Sequence, residues 1–114
     1  MFIVYQLALQ DGKHYFGSTK KWRKQLRMEE HYDGVGSKWT RRYPPLEDGV
    51  VETWEFPTRD EAYEFENQKT EEWLHLNGID SARGGKSNYG STGQYNWWVR
   101  KHLRYLVPKE YKWL

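Results

Sequence analysis

The chain has 114 residues and no cysteine, which sets the scale of one domain with one core and excludes disulfides and thiolate metal sites. No apolar run approaches the ~18 residues of a membrane helix, and the opening Met1-Phe2-Ile3-Val4-Tyr5 carries no basic leader, so an intracellular protein is expected. Net charge is only +2, yet it is segregated, +5 over residues 20–42, −9 over 47–80 and +6 over 83–114, so the two basic regions are where a polyanion would bind.

Residues 2–9 and 13–17 read as strands joined around Asp11-Gly12, a strong hairpin signal. Alternation along the first strand puts Tyr5 on one face with Ile3, Leu7 and Leu9. Residues 20–32 suit a helix, and residues 34–42 read as a glycine-rich basic loop. Pro44-Pro45 and Asp48-Gly49 mark a further loop, followed by a third strand over 50–56. Thr58-Arg59-Asp60-Glu61 is a capping box that starts a helix, and Asn77-Gly78 ends it. A second glycine-rich loop covers 81–90, and a last aromatic and basic helix starts near Ser91 and stops before Pro108. The expected fold is one α+β domain over 1–114, with a small, mainly antiparallel three-stranded sheet flanked by helices in the order β-β-α-β-α-α. With 18% aromatic residues in so polar a chain, most aromatics are expected in packing.

Three helices carry candidate chemistry. On the first, at about 100° per residue, Lys20, Lys24, Arg27 and His31 share one side, and Trp22, Gln25, Leu26 and Glu29 the other. The aromatic and aliphatic side is expected to pack on the sheet. Arg27 and His31, one turn apart, can reach one ligand: arginine offers a planar fork for phosphate oxygens, and histidine moves a proton near neutral pH. Such a pair also occurs on plain solvated faces. On the second helix, Glu66 falls inside the apolar stripe of Ala62, Phe65, Trp73 and Leu76, while Asp60, Glu61, Glu64, Glu71 and Glu72 lie on the far side. A core-facing carboxylate needs a partner. Two partners fit: Lys69 one turn away, or Mg²⁺, which often takes one protein carboxylate and completes its shell with water and substrate phosphate. On the last helix, Trp97 stands among Arg100, Lys101 and Arg104, a pattern that suits base stacking with phosphate contacts or plain packing.

The glycine clusters match neither a dinucleotide fingerprint nor a phosphate-binding P-loop, and the four histidines form no HxxxH pair. The motifs, taken in order, are more specific. Val4-Tyr5-Gln6, then Tyr15-Phe16-Gly17-Ser18-Thr19, then Arg27 and His31, the run His31-Tyr32-Asp33-Gly34-Val35-Gly36-Ser37-Lys38-Trp39-Thr40, Glu66, and Ala82-Arg83-Gly84-Gly85 together resemble the GIY-YIG endonuclease superfamily over residues 3–90. The first motif lacks the glycine and isoleucine of the family pattern. An ungapped register from Tyr15 would put Gln25 at the family arginine, whereas Arg27 keeps both the spacing to His31 and the Gly-Ser-Lys run.

The resemblance implies a metal-dependent endonuclease that hydrolyses DNA one strand at a time. It gives Glu66 the metal, Mg²⁺ or Mn²⁺, and Tyr5, Tyr15, Arg27 and His31 the chemistry. Arg27 would stabilise nonbridging oxygens, Tyr5 would position or deprotonate the attacking water with His31 taking its proton, and Tyr15 would orient water or phosphate. Lys20, Lys24, Lys38, Arg41, Arg42, Arg83, Lys86, Asn88, Trp97, Arg100, Lys101 and Arg104 are the expected nucleic-acid contacts. A double-strand break would need a homodimer or two visits. With Gln25 in the arginine position, the same fold would be an inactive module that binds nucleic acid or protein.

Overall fold

Two consecutive residues with positive φ, Asp11 at 60° and Gly12 at 70°, close the turn between β1 (Phe2–Leu9) and β2 (His14–Lys20). That is the left-handed geometry an Asp-Gly hairpin supplies, and it matches the twist of the flanking strands. The computed structural model describes residues 1–78 and 80–84. Over these the elements run on through α1 (Lys24–Tyr32), α2 (Lys38–Arg42), β3 (Pro45–Phe56), α3 (Arg59–Asn77) and β4 (Ala82–Gly84). The expected last helix lies outside the described residues.

The α+β class holds, but the sheet has four strands rather than three, in the order β3-β1-β2-β4. β1 pairs antiparallel with β2 and β3, and β4 pairs parallel with His14, Tyr15 and Phe16 of β2. Three residues are too few to read as a strand in a glycine-rich stretch, which is why 81–90 suggests only a loop. β3 likewise begins at Pro45, earlier than residue 50; its extra residues are accommodated by register shifts opposite Leu7 and Leu9. Proline is tolerated there because β3 is an edge strand and the first residue needs no donor.

Both faces of the sheet are covered, so β1 is buried along nearly its whole length. Tyr5, Leu7, Leu9 and Tyr15 form one core with Met28 of α1 and Trp39 of α2. From α3, Phe65 packs on Trp54 and Phe56, and Trp73 on Phe16. Thr58 caps α3, its side chain accepting from the Glu61 backbone, and Gly78 at φ 100° ends it, as the sequence suggests.

The inner face of α1 is the reverse of the expected one. β2 continues to Lys20 and a single 3-10 turn covers Lys21–Arg23, so the helix proper starts only at Lys24. Trp22 is 71% exposed and Leu26 50% exposed, while Met28 and His31 are buried. The polar residues Arg27 and His31 thus face the sheet, where the tyrosines offer them partners. The 34–42 segment is also more ordered than a loop: Ser37 caps α2, and Ser37 and Thr40 exchange side-chain-to-backbone hydrogen bonds. On α3 the buried line is Ala62, Glu66, Thr70 and Leu74, while Leu76 is exposed at the helix end.

Candidate active site

Tyr5 and Tyr15 come from adjacent strands, and α1 brings Arg27 and His31 onto them. The Tyr5 hydroxyl lies 2.7 Å from His31 Nε2, and the His31 ring packs edge-on to Tyr5 with centroids 5.6 Å apart and 5.0 Å from the Tyr15 ring. The Arg27 guanidinium lies close enough to both phenols to pull against the rise in their pKa values, and Ser37 does the same at Tyr15. The Arg27 guanidinium also lies 3.6 Å from Glu30. Gly17 is the Cα partner of Tyr5, and a Cβ there would collide with the Tyr5 phenol and the Tyr15 ring. The glycine of the second motif is therefore a seat for the tyrosine of the first.

Gln25 points away. It is exposed and bonds Glu29 on the outer surface of α1, 3.3 Å from its carboxylate. Of the two registers left open by the sequence, the geometry puts Arg27 beside the tyrosines.

Glu66 approaches from α3 and is only 6% exposed. Its carboxylate accepts the Ser18 hydroxyl at 2.9 Å, and its backbone carbonyl accepts from Thr70. Lys69, one of the two partners the sequence allows, instead pairs with Glu72 at 3.5 Å and lies over the Trp54 and Phe65 rings. The Glu66 carboxylate forms part of the wall of a cleft of about 480 Å³, with Ser18, Thr19, Tyr63 and three cations, Lys20, Arg23 and Arg59. Among the described residues there is no group of three or more His, Cys, Asp or Glu that could cage a metal. One carboxylate on a cleft wall does not suit zinc, but it fits a hard ion such as Mg²⁺ that keeps most of its water.

Burial sets the protonation states. Desolvation, and then the neighbouring Tyr15, raise the Tyr5 pKa well above the usual 10, against the pull of Arg27. Desolvation also raises Tyr15, with the Glu66 carboxylate adding to it. His31 moves the other way: burial and the Arg27 charge lower it from 6.5 to about 4. At neutral pH the site thus holds two neutral phenols, a neutral imidazole and a guanidinium.

The remaining predicted contacts divide. Lys20, Lys38, Arg41 and Arg42 are exposed and Lys24 partly so. Arg83 is not on the surface: it is buried, stacked 4.1 Å over the Trp39 ring, and donates to the Ala82 carbonyl. Lys86, Asn88, Trp97, Arg100, Lys101 and Arg104 lie outside the described residues. Sequence reasoning missed Ser18, Arg23, Arg59, Ser37 and Thr40. Only the last two carried a signal, the spacing of a capping pair.

A family model described as the GIY-YIG catalytic domain matches residues 1–73. Among curated proteins, UPF0213 protein BH0048 of Halalkalibacterium halodurans is 38% identical over 63 residues, which is 55% of this chain. The match covers 63% of that relative's own length. No solved structure matches the chain.

Proposed function

The chain belongs to the GIY-YIG catalytic domain family, a family of nucleases that act on DNA, and we propose that it is itself a metal-dependent endonuclease cutting one strand of DNA per site. The observation that carries this reading is the convergence of Tyr5, Tyr15, Arg27 and His31 into one packed cluster, with Tyr5 hydrogen-bonded to His31 and the Glu66 carboxylate near enough to oppose ionisation of both phenols.

Glu66 would hold one Mg²⁺ or Mn²⁺, and such an ion supplies charge stabilisation at the scissile phosphate and the leaving oxygen. The chain's own residues do the rest. Arg27, partly buried beside the phenols, is the group assigned to the phosphate. Its guanidinium fork suits two nonbridging oxygens. When Arg27 pairs with the phosphate, its charge, one of the two causes of the low His31 pKa, is neutralised. His31 then becomes a better proton acceptor at the moment one is needed.

Tyr5 acts as a relay. Its raised pKa keeps a free phenolate out of reach at neutral pH, so the phenol accepts a proton from the attacking water as its own passes to His31 Nε2. Tyr15 orients water or phosphate beside it. The exposed Lys20, Lys38, Arg41 and Arg42 attract the DNA backbone, and no base-reading element is needed for that step.

The test is nicking of supercoiled plasmid. We expect cutting with Mg²⁺, none with EDTA, and none from a folded Glu66→Gln variant. Undiminished Mg²⁺-dependent nicking by Glu66→Gln would sink the assignment of the metal carboxylate.

A further inference from the structure

Thr40 takes no part in the reaction read above, yet it is completely buried and its hydroxyl lies 3.0 Å from His31 Nδ1. Gly36 makes that approach possible, since a Cβ there would collide with Nδ1 itself. The other side of the ring decides what the contact means. The Tyr5 hydroxyl is fully buried, and among the described residues its hydrogen-bond partner is His31 Nε2, with the Arg27 charge close by. Guanidinium can only donate, so among the described residues the acceptor for the phenol proton is Nε2. A neutral imidazole with a bare Nε2 carries its proton on Nδ1, and the Thr40 oxygen is where that proton goes. The hydroxyl is itself held in place: the Ser37 backbone N–H donates to it at 3.2 Å, and the Ser37 carbonyl lies 3.2 Å away to receive its proton.

We propose that Thr40 is a positioning residue, whose hydroxyl accepts the Nδ1 proton of His31 and so fixes the tautomer that leaves Nε2 open to Tyr5. The segment from Gly36 to Thr40 is then a cradle for the general base. Ser37 and Thr40 cap each other to form the turn, Gly36 clears the space, and the second lone pair of Thr40 orients the ring. Outer groups that orient a histidine typically matter 10- to 100-fold when removed, a figure established for metal-bound histidines. The catalytic consequence rests on the nuclease reading; the tautomer does not.

The experiment is ¹⁵N NMR of histidine-labelled full-length protein, recorded without DNA near neutral pH. We expect His31 as a single neutral tautomer protonated at Nδ1. Protonation at Nε2 overturns the proposal, whatever the protein does to DNA. Thr40→Val replaces the hydroxyl by a methyl group of similar shape. It should give a mixture of tautomers and slow nicking by about 10- to 100-fold. Thr40→Ser should restore both. Slower nicking in Thr40→Val with the tautomer unchanged would mean that Thr40 only supports the turn, and would overturn the proposal. If Thr40→Val does not fold, the wild-type tautomer and the Thr40→Ser spectrum still decide. Failure of the wild type to cut DNA would count against the nuclease reading alone.

Discussion

Tyr5 and Gly17 face each other across the β1–β2 pair, and the phenol of Tyr5 occupies the space where any other residue at 17 would place its Cβ. The site's central hydroxyl is therefore positioned by the absence of an atom. Gly17→Ala should push Tyr5 off His31 while keeping the sheet register. Overpacking of this kind costs about 1–3 kcal/mol of stability, and a misplacement of about 1 Å costs about 10²-fold in rate. A thermal melt and a nicking time course check both. Wild-type values in each would mean that the phenol is not held by this contact.

Arg27 and Gln25 lie about 200° apart on α1, so only one of them can serve the site. Arg27→Ala removes a donor aimed at developing charge, which typically costs ~10²–10³ in rate. DNA affinity should fall only modestly, because the exposed cations remain. Gln25→Ala, which loses one surface bond to Glu29, should cut at close to the wild-type rate. Equal rates for Arg27→Ala and wild type would remove the arginine from the mechanism.

His31 predicts how stability responds to acid. Its folded pKa of about 4 lies below the 6.5 of the unfolded chain, so between those values the unfolded state binds the extra proton. Stability from this group is complete above about pH 6.5 and is lost as pH falls toward 4, by about 3 kcal/mol in all. Urea titrations at pH 7 and pH 4.5 should show the drop. His31→Gln should flatten the pH dependence in that window, and an unchanged slope would show that another group carries it.

Charge predicts a steep salt response. Lys20 at the end of β2 and Lys38, Arg41 and Arg42 on α2 stand exposed. If they meet phosphates, binding of Glu66→Gln to duplex DNA should weaken sharply between 50 and 200 mM salt, by ~10³-fold or more if six or more phosphates are contacted. Affinity that ignores salt would point to a protein partner instead.

The elements that announce themselves by local chemistry were legible in the sequence. The Asp11-Gly12 turn, the Thr58 cap and the Gly78 stop depend on a few neighbouring residues, and the structure has each of them. Glu66 was legible because a carboxylate in an apolar stripe is anomalous on any helix. What could not be read depends on distant partners. The α1 wheel put Trp22 and Leu26 inside because they are apolar, but the phenols of Tyr5 and Tyr15 make the polar side of that helix the one worth burying. Arg83 looked like a surface cation; its place over Trp39 is set by a parallel pairing between β4 and a strand some seventy residues earlier. The capping of Ser37 and Thr40 was visible only as a spacing, and its link to His31 needed three dimensions.

β4 carries a consequence for how copies of this protein coexist. A chain cut after residue 73, where the family match ends, would keep Tyr5, Tyr15, Arg27, His31 and Glu66, yet it would leave the outer side of His14, Tyr15 and Phe16 without backbone partners. Unpaired strand edges recruit other strands and seed aggregation. The opposite edge, β3, is guarded by charge, with Glu47, Asp48, Glu52 and Glu55 all exposed along it. Among the described residues the β2 edge is covered by three residues of added strand. A piece long enough to hold all five candidate site residues is therefore still too short to keep this edge paired.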